Sequence, residues 1–228
     1  MKTVILTGSS KGIGLALTRR LLSMDYKVYG ISRSFQNPEK NFIPIQCDIL
    51  DSKKLEEVIG YILNEETEIN LLVNNAGIGY FGPHEQLGVR DIQTMIRTNL
   101  EVPLILSKLL LRELKKNQGM IMFVSSVTAK KISTHGCAYS ASKAGLTHFS
   151  NSLFEEVRKS GIKVTTIHPD MTKSNFYDNL NFTYEDEEDC VLLEDQIADA
   201  VEYVLKNSNN IVINDITVRP QKNKIKRK

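Results

Sequence analysis

Tyr139 and Lys143 stand four residues apart, in a stretch whose spacing predicts a helix over 138–159, so the two side chains share one helical face. A tyrosine with a pKa of about 10 is a poor base at neutral pH. A neighbouring ammonium favours the phenolate and lowers that value, and the pair can then give a proton to an oxygen or take one from it. Bringing the phenol down by two to three pH steps would draw roughly 3–4 kcal/mol from nearby charge. The same pair on an exposed face would be an ordinary surface pair, so its surroundings decide.

A second group lies near the start of the chain: Thr7-Gly8-Ser9-Ser10-Lys11-Gly12-Ile13-Gly14. Gly8 permits a tight turn, Gly12 lets the backbone approach a pyrophosphate, and Gly14 lets a helix pack closely on a strand. The free N–H groups of Ser10, Lys11, Gly12 and Ile13 at a helix N-terminus would favour the anion. An ordinary glycine-rich turn is the alternative. The sequence context favours the phosphate site, because the glycines fall between the first predicted strand and the first predicted helix.

The elements that must hold these groups follow from short apolar runs alternating with helical spacing. Strands are predicted over 4–6, 27–31, 43–47, 71–73, 120–124, 162–167 and 211–218. Helices are predicted over 12–24, 51–64, 86–97, 102–116, 138–159 and 194–206. Pro103 sets the start of the helix at 102, since proline is tolerated in a first turn and costly later. Continuous apolar strands between helices imply a parallel sheet covered on both faces. The expected fold class is therefore α/β, a three-layer doubly wound parallel sheet of Rossmann type with about seven strands. One domain over 1–220 is expected, with a frayed basic tail over 221–228.

Composition bounds the partners. In a chain of 228 residues the net charge is only +2, which argues against a nucleic-acid or membrane partner. Cys47, Cys137 and Cys190 are odd in number and lack metal-ligand spacing. Free thiols in a reducing, cytoplasmic setting are expected, with no metal. The first strand starts at once, without a signal-peptide pattern.

Cofactor preference is readable at the end of the second strand, where an NAD site usually places a carboxylate about 20 residues past the glycines. Here the residues are Ser32-Arg33-Ser34. Arg33 can pair with a 2′-phosphate, and Lys11 can add a second cation. NADP(H) is favoured, with NAD(H) as the alternative; both cations simply solvated is the bland reading.

Taken in order, Thr7-Gly8-x-x-x-Gly12-Ile13-Gly14, Asn74-Asn75-Ala76-Gly77, Asn99, Ser126 and Tyr139-x-x-x-Lys143 resemble the short-chain dehydrogenase/reductase family, in its single-domain form, from residue 3 to about 220. The resemblance implies hydride transfer between a nicotinamide and a carbonyl or alcohol. It implies that Tyr139 moves the proton, that Ser126 rather than Ser125 bonds the reacting oxygen, and that Lys143 holds the nicotinamide ribose. Asn99 would position a relaying water. Asp48 would meet the adenine amino group, or else cap the helix over 51–64. Asn74 and Asn75 would tie neighbouring strands, with a cofactor contact for Asn75 equally open, and Ala76 and Gly77 would leave room for the adenosine ribose. A homodimer or homotetramer built on the helices over 102–116 and 138–159 is implied as well.

The chain departs from the family after the sixth strand. The usual Pro-Gly is Pro169-Asp170, and Ser174 falls where the family has the Thr that meets the carboxamide, with Thr172 close by. Residues 175–193 would form the lid. Its aromatics Phe176, Tyr177, Phe182 and Tyr184 could cover an apolar substrate, or the segment could be a mobile loop with a solvated acidic run at 185–189. His84 and His135 could approach the pocket mouth. A regulatory NADP-binding protein with little turnover is the alternative function.

Overall fold

The computed structural model describes residues 1–35 and 40–228. Its central sheet is built from β1 (Lys2–Thr7), β2 (Tyr26–Ser32), β3 (Phe42–Gln46), β4 (Leu71–Asn74), β5 (Met120–Val124) and β6 (Lys163–Pro169). The next strand along the chain, β7 (Phe182–Tyr184), stands outside this sheet, and β8 (Asp215–Val218) completes it. Seven strands lie in the order β3-β2-β1-β4-β5-β6-β8, and all pairs are parallel. The order reverses between β1 and β4. Ligands of doubly wound sheets bind at such a reversal, beyond the carboxyl ends of the strands.

Helices α1 (Gly12–Ser23) and α6 (Glu194–Asn207) cover one face. Their Leu17, Leu21, Ile197 and Val201 pack on Val4, Leu6, Val28 and Val73. Helices α2 (Ser52–Glu65), α4 (Val102–Lys116) and α5 (Cys137–Val157) cover the other. Leu55, Ile59, Leu106, Leu110 and Leu146 meet Ile5, Ile121 and Phe123 there. Alternate residues of β1 thus feed opposite layers, and both are apolar because both faces are buried. Among the described residues no helix is long and apolar enough to cross a membrane.

Two expectations fail locally. The sequence separates helices at 97 and 102, but α3 (Val89–Ile96) runs into α4 through a π turn over Arg97–Glu101. The N–H of Val102 reaches back to the Arg97 carbonyl. That wider turn, with Pro103 in the first turn of α4, takes up the missing proline donor without ending the helix.

The second concerns the tail over 221–228, expected to be frayed. It carries β9 (Ile225–Arg227), paired antiparallel with β7. The acidic run is not merely solvated: Asp189 pairs with Lys222, Glu187 with Lys224 and Glu185 with Lys226. These three opposite-charge pairs lie beside the β7–β9 ladder and link the tail to the acidic run over 185–189.

Candidate active site

The glycine turn is set by contact. Gly8 and Gly12 adopt positive φ, 68° and 56°, a region that favours glycine. A methyl group at Gly14 would lie 1.8 Å from the Gly8 carbonyl oxygen, so only glycine lets α1 seat on this turn. The backbone N–H of Gly8 donates to Ile31 O at 2.8 Å. Asn75 ties the turn to β4: its amide donates to Thr7 O and Gly8 O at 3.0 and 3.2 Å. The N–H groups of Asn75 and Ala76 both donate to the Thr7 hydroxyl at 3.1 Å. Asn74, expected to share this work, does not: its buried side-chain amide has no hydrogen-bond partner among the described residues.

Lys11 and Arg33 are exposed at this end of the sheet, and neither has a carboxylate partner among the described residues. Asp48 is also exposed; it accepts from Leu50 N at 3.0 Å. It does not cap α2, because Asp51 does, accepting from Lys54 N at 3.0 Å.

A cavity of about 850 Å³ opens beside the turn and is lined by Ile13, Asn75, Gly77, Ser126, Tyr139, Lys143, Pro169, Thr172 and Ser174, among others. Ser126 follows β5, and Tyr139 and Lys143 sit on the first turns of α5. The Ser126 oxygen accepts from Thr128 N at 3.1 Å and from the Thr128 hydroxyl at 3.0 Å. With both acceptor positions used, its own O–H remains to donate. Ser125 differs: its hydroxyl donates to Lys143 O at 3.1 Å and meets the Thr147 hydroxyl at 2.9 Å. Both serines line the cavity, but the Ser125 hydroxyl is engaged with Lys143 and Thr147, whereas that of Ser126 remains to donate.

Lys143 is buried and donates to Val124 O at 2.8 Å. Its ammonium lies 6.0 Å from the centre of the Tyr139 ring. The expected acidification of the phenol by this amine is not what the site does by itself. Burial is the larger influence on both groups, and it disfavours both charged forms. It pushes Tyr139 up to about 12, against a smaller opposing effect of Ser126, and pulls Lys143 down to about 8. The resting pair is a protonated phenol beside an amine that releases its proton readily.

Asn99 lies in the π turn and is fully buried. Its side-chain oxygen accepts from Ile78 N at 2.9 Å, and its amide donates to Ile78 O at 2.8 Å and to the Ser142 hydroxyl at 3.0 Å. Both amide donors are engaged, so they are not free to position a relaying water. Asn99 instead fixes the segment after Gly77, whose absent side chain leaves room for Lys143 Nζ.

On the far wall, Asp170 occupies the position of the family glycine without positive φ. Its carboxylate is held by Arg219 at 3.1 Å and accepts from its own neighbour Met171 N at 3.0 Å. Thr172 donates to Asp170 O at 2.9 Å. Ser174 Oγ caps the following turn, accepting from Phe176 N at 3.4 Å. His135 lines the cavity, whereas His84 does not.

Sequence reasoning missed His168. It is fully buried at the end of β6, with Nδ1 3.1 Å from the Ser126 carbonyl oxygen and Nε2 2.8 Å from Asp215. Both partners are acceptors, a demand that only the doubly protonated ring meets in full, while burial opposes that charge and lowers its pKa. Its place at a strand's carboxyl end, beside Pro169, was the available signal.

Comparison with known proteins identifies the family. The sequence profile described as short chain dehydrogenase matches residues 2–185. Serine 3-dehydrogenase of Agrobacterium fabrum is 29% identical, over 96% of this chain and 93% of that protein. The 3-oxoacyl-[acyl-carrier-protein] reductase FabG of Salmonella typhimurium is 33% identical, over 76% of each. An alcohol dehydrogenase from Thermococcus sibiricus, solved with 5-hydroxy-NADP, superposes with a TM-score of 0.89 at 23% identity, covering 98% of this chain and 99% of that one. With the profile spanning most of its length, the chain belongs to the short chain dehydrogenase family, oxidoreductases that act on a CH–OH or C=O group.

Proposed function

We propose that the protein is an NADP(H)-dependent oxidoreductase that interconverts a small carbonyl compound and its alcohol. The observation that carries the reading is the convergence of Ser126, Tyr139 and Lys143 on one cavity that adjoins the glycine turn. The turn fits a dinucleotide, since a side chain at Gly14 would collide with backbone and Gly8 and Gly12 hold positive φ. Gly8, Ser10, Lys11, Gly12, Ile13 and Gly14 would hold the pyrophosphate, Asn75, Ala76 and Gly77 the adenosine side, and Pro169, Thr172 and Ser174 the carboxamide side. Arg33 and Lys11, free of carboxylate partners among the described residues, support the 2′-phosphate and hence NADP(H) over NAD(H). Exposed Asp48 lies at the same sheet edge and suits the adenine. The bound nicotinamide would supply or accept the hydride.

The protein's own part is proton handling. In reduction, the protonated Tyr139 gives its proton to the substrate oxygen, and Ser126 donates a hydrogen bond to that oxygen as negative charge develops. In oxidation, Tyr139 would take the proton, with the Lys143 charge, and the positive charge a bound oxidised nicotinamide would supply, opposing the burial that holds the phenol near 12. Asn99 keeps Ile78 and Ser142 in register beneath the pair.

Three free cysteines suit a reducing, cytoplasmic setting. The half-buried Leu109 and Leu111 of α4 and Phe149 and Phe154 of α5 support a homodimer or homotetramer. The test is NADPH consumption with a panel of aldehydes and ketones, repeated with NADH. Turnover with preference for NADPH is expected. Thermal stabilisation by NADPH with no turnover of any carbonyl would instead indicate a regulatory NADP-binding protein.

A further inference from the structure

The tail over 222–227, which ends in β9, divides its residues by face. Lys222, Lys224 and Lys226 pair with Asp189, Glu187 and Glu185 of the lid. Asn223, Ile225 and Arg227, the residues between them, line the cavity. This is the period-two alternation of an extended chain. Register agrees: Arg227 stands opposite Phe182 and Ile225 opposite Tyr184, and cross-strand partners share a face. Phe182 lines the cavity.

Arg227 is the one cation on this strand whose side chain has no partner among the described residues. Lys228, next to it, donates to the main-chain oxygens of Tyr177 and Asp178. Among the described residues, four Lys or Arg side chains line the cavity (Lys131, Lys143, Arg227 and Lys228) against one side-chain carboxylate, Asp170. That carboxylate is already held by Arg219 and approached by Lys131 at 3.8 Å. Between Arg227 and Tyr139 the wall is aromatic. Phe81 lies 5.1 Å from Phe182 on one side and 5.1 Å from Tyr139 on the other, and Phe176 lies 5.7 Å from Tyr139.

Resting on the oxidoreductase reading, we infer that the substrate is an oxo- or hydroxy-carboxylic acid: its carboxylate pairs with Arg227, its reacting oxygen lies at Tyr139 and Ser126, and an apolar spacer of several carbons runs along Phe81 and Phe182. A guanidinium meets a carboxylate through two parallel hydrogen bonds. Arg227 stands opposite Phe182, and Phe81 lies between Phe182 and Tyr139, so an acid whose carboxylate is several carbons from its carbonyl suits this wall. The lysines on the outer face fasten the strand, and Arg227 on the inner face selects.

Two measurements test this. In NADPH-consumption assays, 6-oxoheptanoate is compared with its methyl ester for the wild type, Arg227→Gln and Lys226→Gln. The wild type should favour the acid in kcat/KM. Arg227→Gln should raise KM for the acid roughly 10- to 100-fold, with kcat and the ester little changed, and Lys226→Gln should leave the preference intact. Equal use of acid and ester, or an acid KM indifferent to Arg227→Gln, overturns the inference. Calorimetric titration of adipate into protein saturated with NADP+ reads the anion site without turnover. Binding lost in Arg227→Gln and absent for 1,6-hexanediol supports the site, and adipate that fails to bind the wild type, or binds the variant equally, overturns it. Adipate binding in a protein that turns over no carbonyl would sink the oxidoreductase reading alone.

Discussion

Replacing Lys143 by methionine removes a buried ammonium, and its effect on stability should depend on pH in a defined direction. Burial lowers the amine from 10.5 to about 8, which corresponds to about 3 kcal/mol at 1.36 kcal/mol per tenfold change in proton affinity. Below pH 8 the amine is charged in both folded and unfolded chains, and the folded protein bears the full desolvation cost. Between pH 8 and 10.5 the folded chain releases its proton first. The unfolded state then binds more protons, and wild-type stability rises with pH. A thioether cannot titrate, so the wild type should gain on Lys143→Met by about 2–3 kcal/mol between pH 7 and 10. The variant also leaves Val124 O without its donor, now 2.8 Å away, at a cost of about 1–3 kcal/mol. That cost shifts the whole curve and leaves its slope alone. Tyr139, pushed up to about 12, acts in the opposite direction above pH 10 and is common to both proteins. Urea unfolding of the two proteins at pH 7, 8, 9 and 10 gives the difference directly. Parallel stability curves over that range would refute the argument that burial governs this lysine.

Other perturbations test separate parts of the site. Gly14→Ala puts a methyl group 1.8 Å from Gly8 O; the turn must shift, and we expect a loss of about 1–3 kcal/mol in stability together with NADPH affinity, read by denaturation and fluorescence titration. Arg33→Asp should weaken NADPH by roughly 10- to 100-fold and spare or improve NADH, measured as the ratio of the two KM values. His168→Ala strips a partner from the Ser126 carbonyl and from Asp215, and should lower stability by about 1–3 kcal/mol in thermal unfolding, with kcat falling as Ser126 loses its support.

The sheet was legible because its strands are short apolar runs between helical spacings, and the glycine turn because its position between the first strand and helix carries meaning. Tyr139 and Lys143 could be paired from spacing alone. What escaped depends on contacts across the fold. The π turn over Arg97–Glu101 hides behind Pro103, which locally reads as a boundary. The pairing of β9 escaped because its partner strand lies more than forty residues away. His168 gains its partners only when β5, β6 and β8 align. The directions of the Tyr139 and Lys143 pKa values depend on burial, which sequence spacing does not report.

The most direct measurement of the central claim is single-turnover reduction of a reactive carbonyl by Tyr139→Phe, with NADPH affinity measured on the same protein. The phenol hydroxyl is the only group this change removes. We predict a rate lower by about 10²- to 10⁴-fold with NADPH affinity within about two-fold of wild type. A variant that reduces the carbonyl at the wild-type rate would show that the proton comes from elsewhere, and would contradict the assignment of Tyr139.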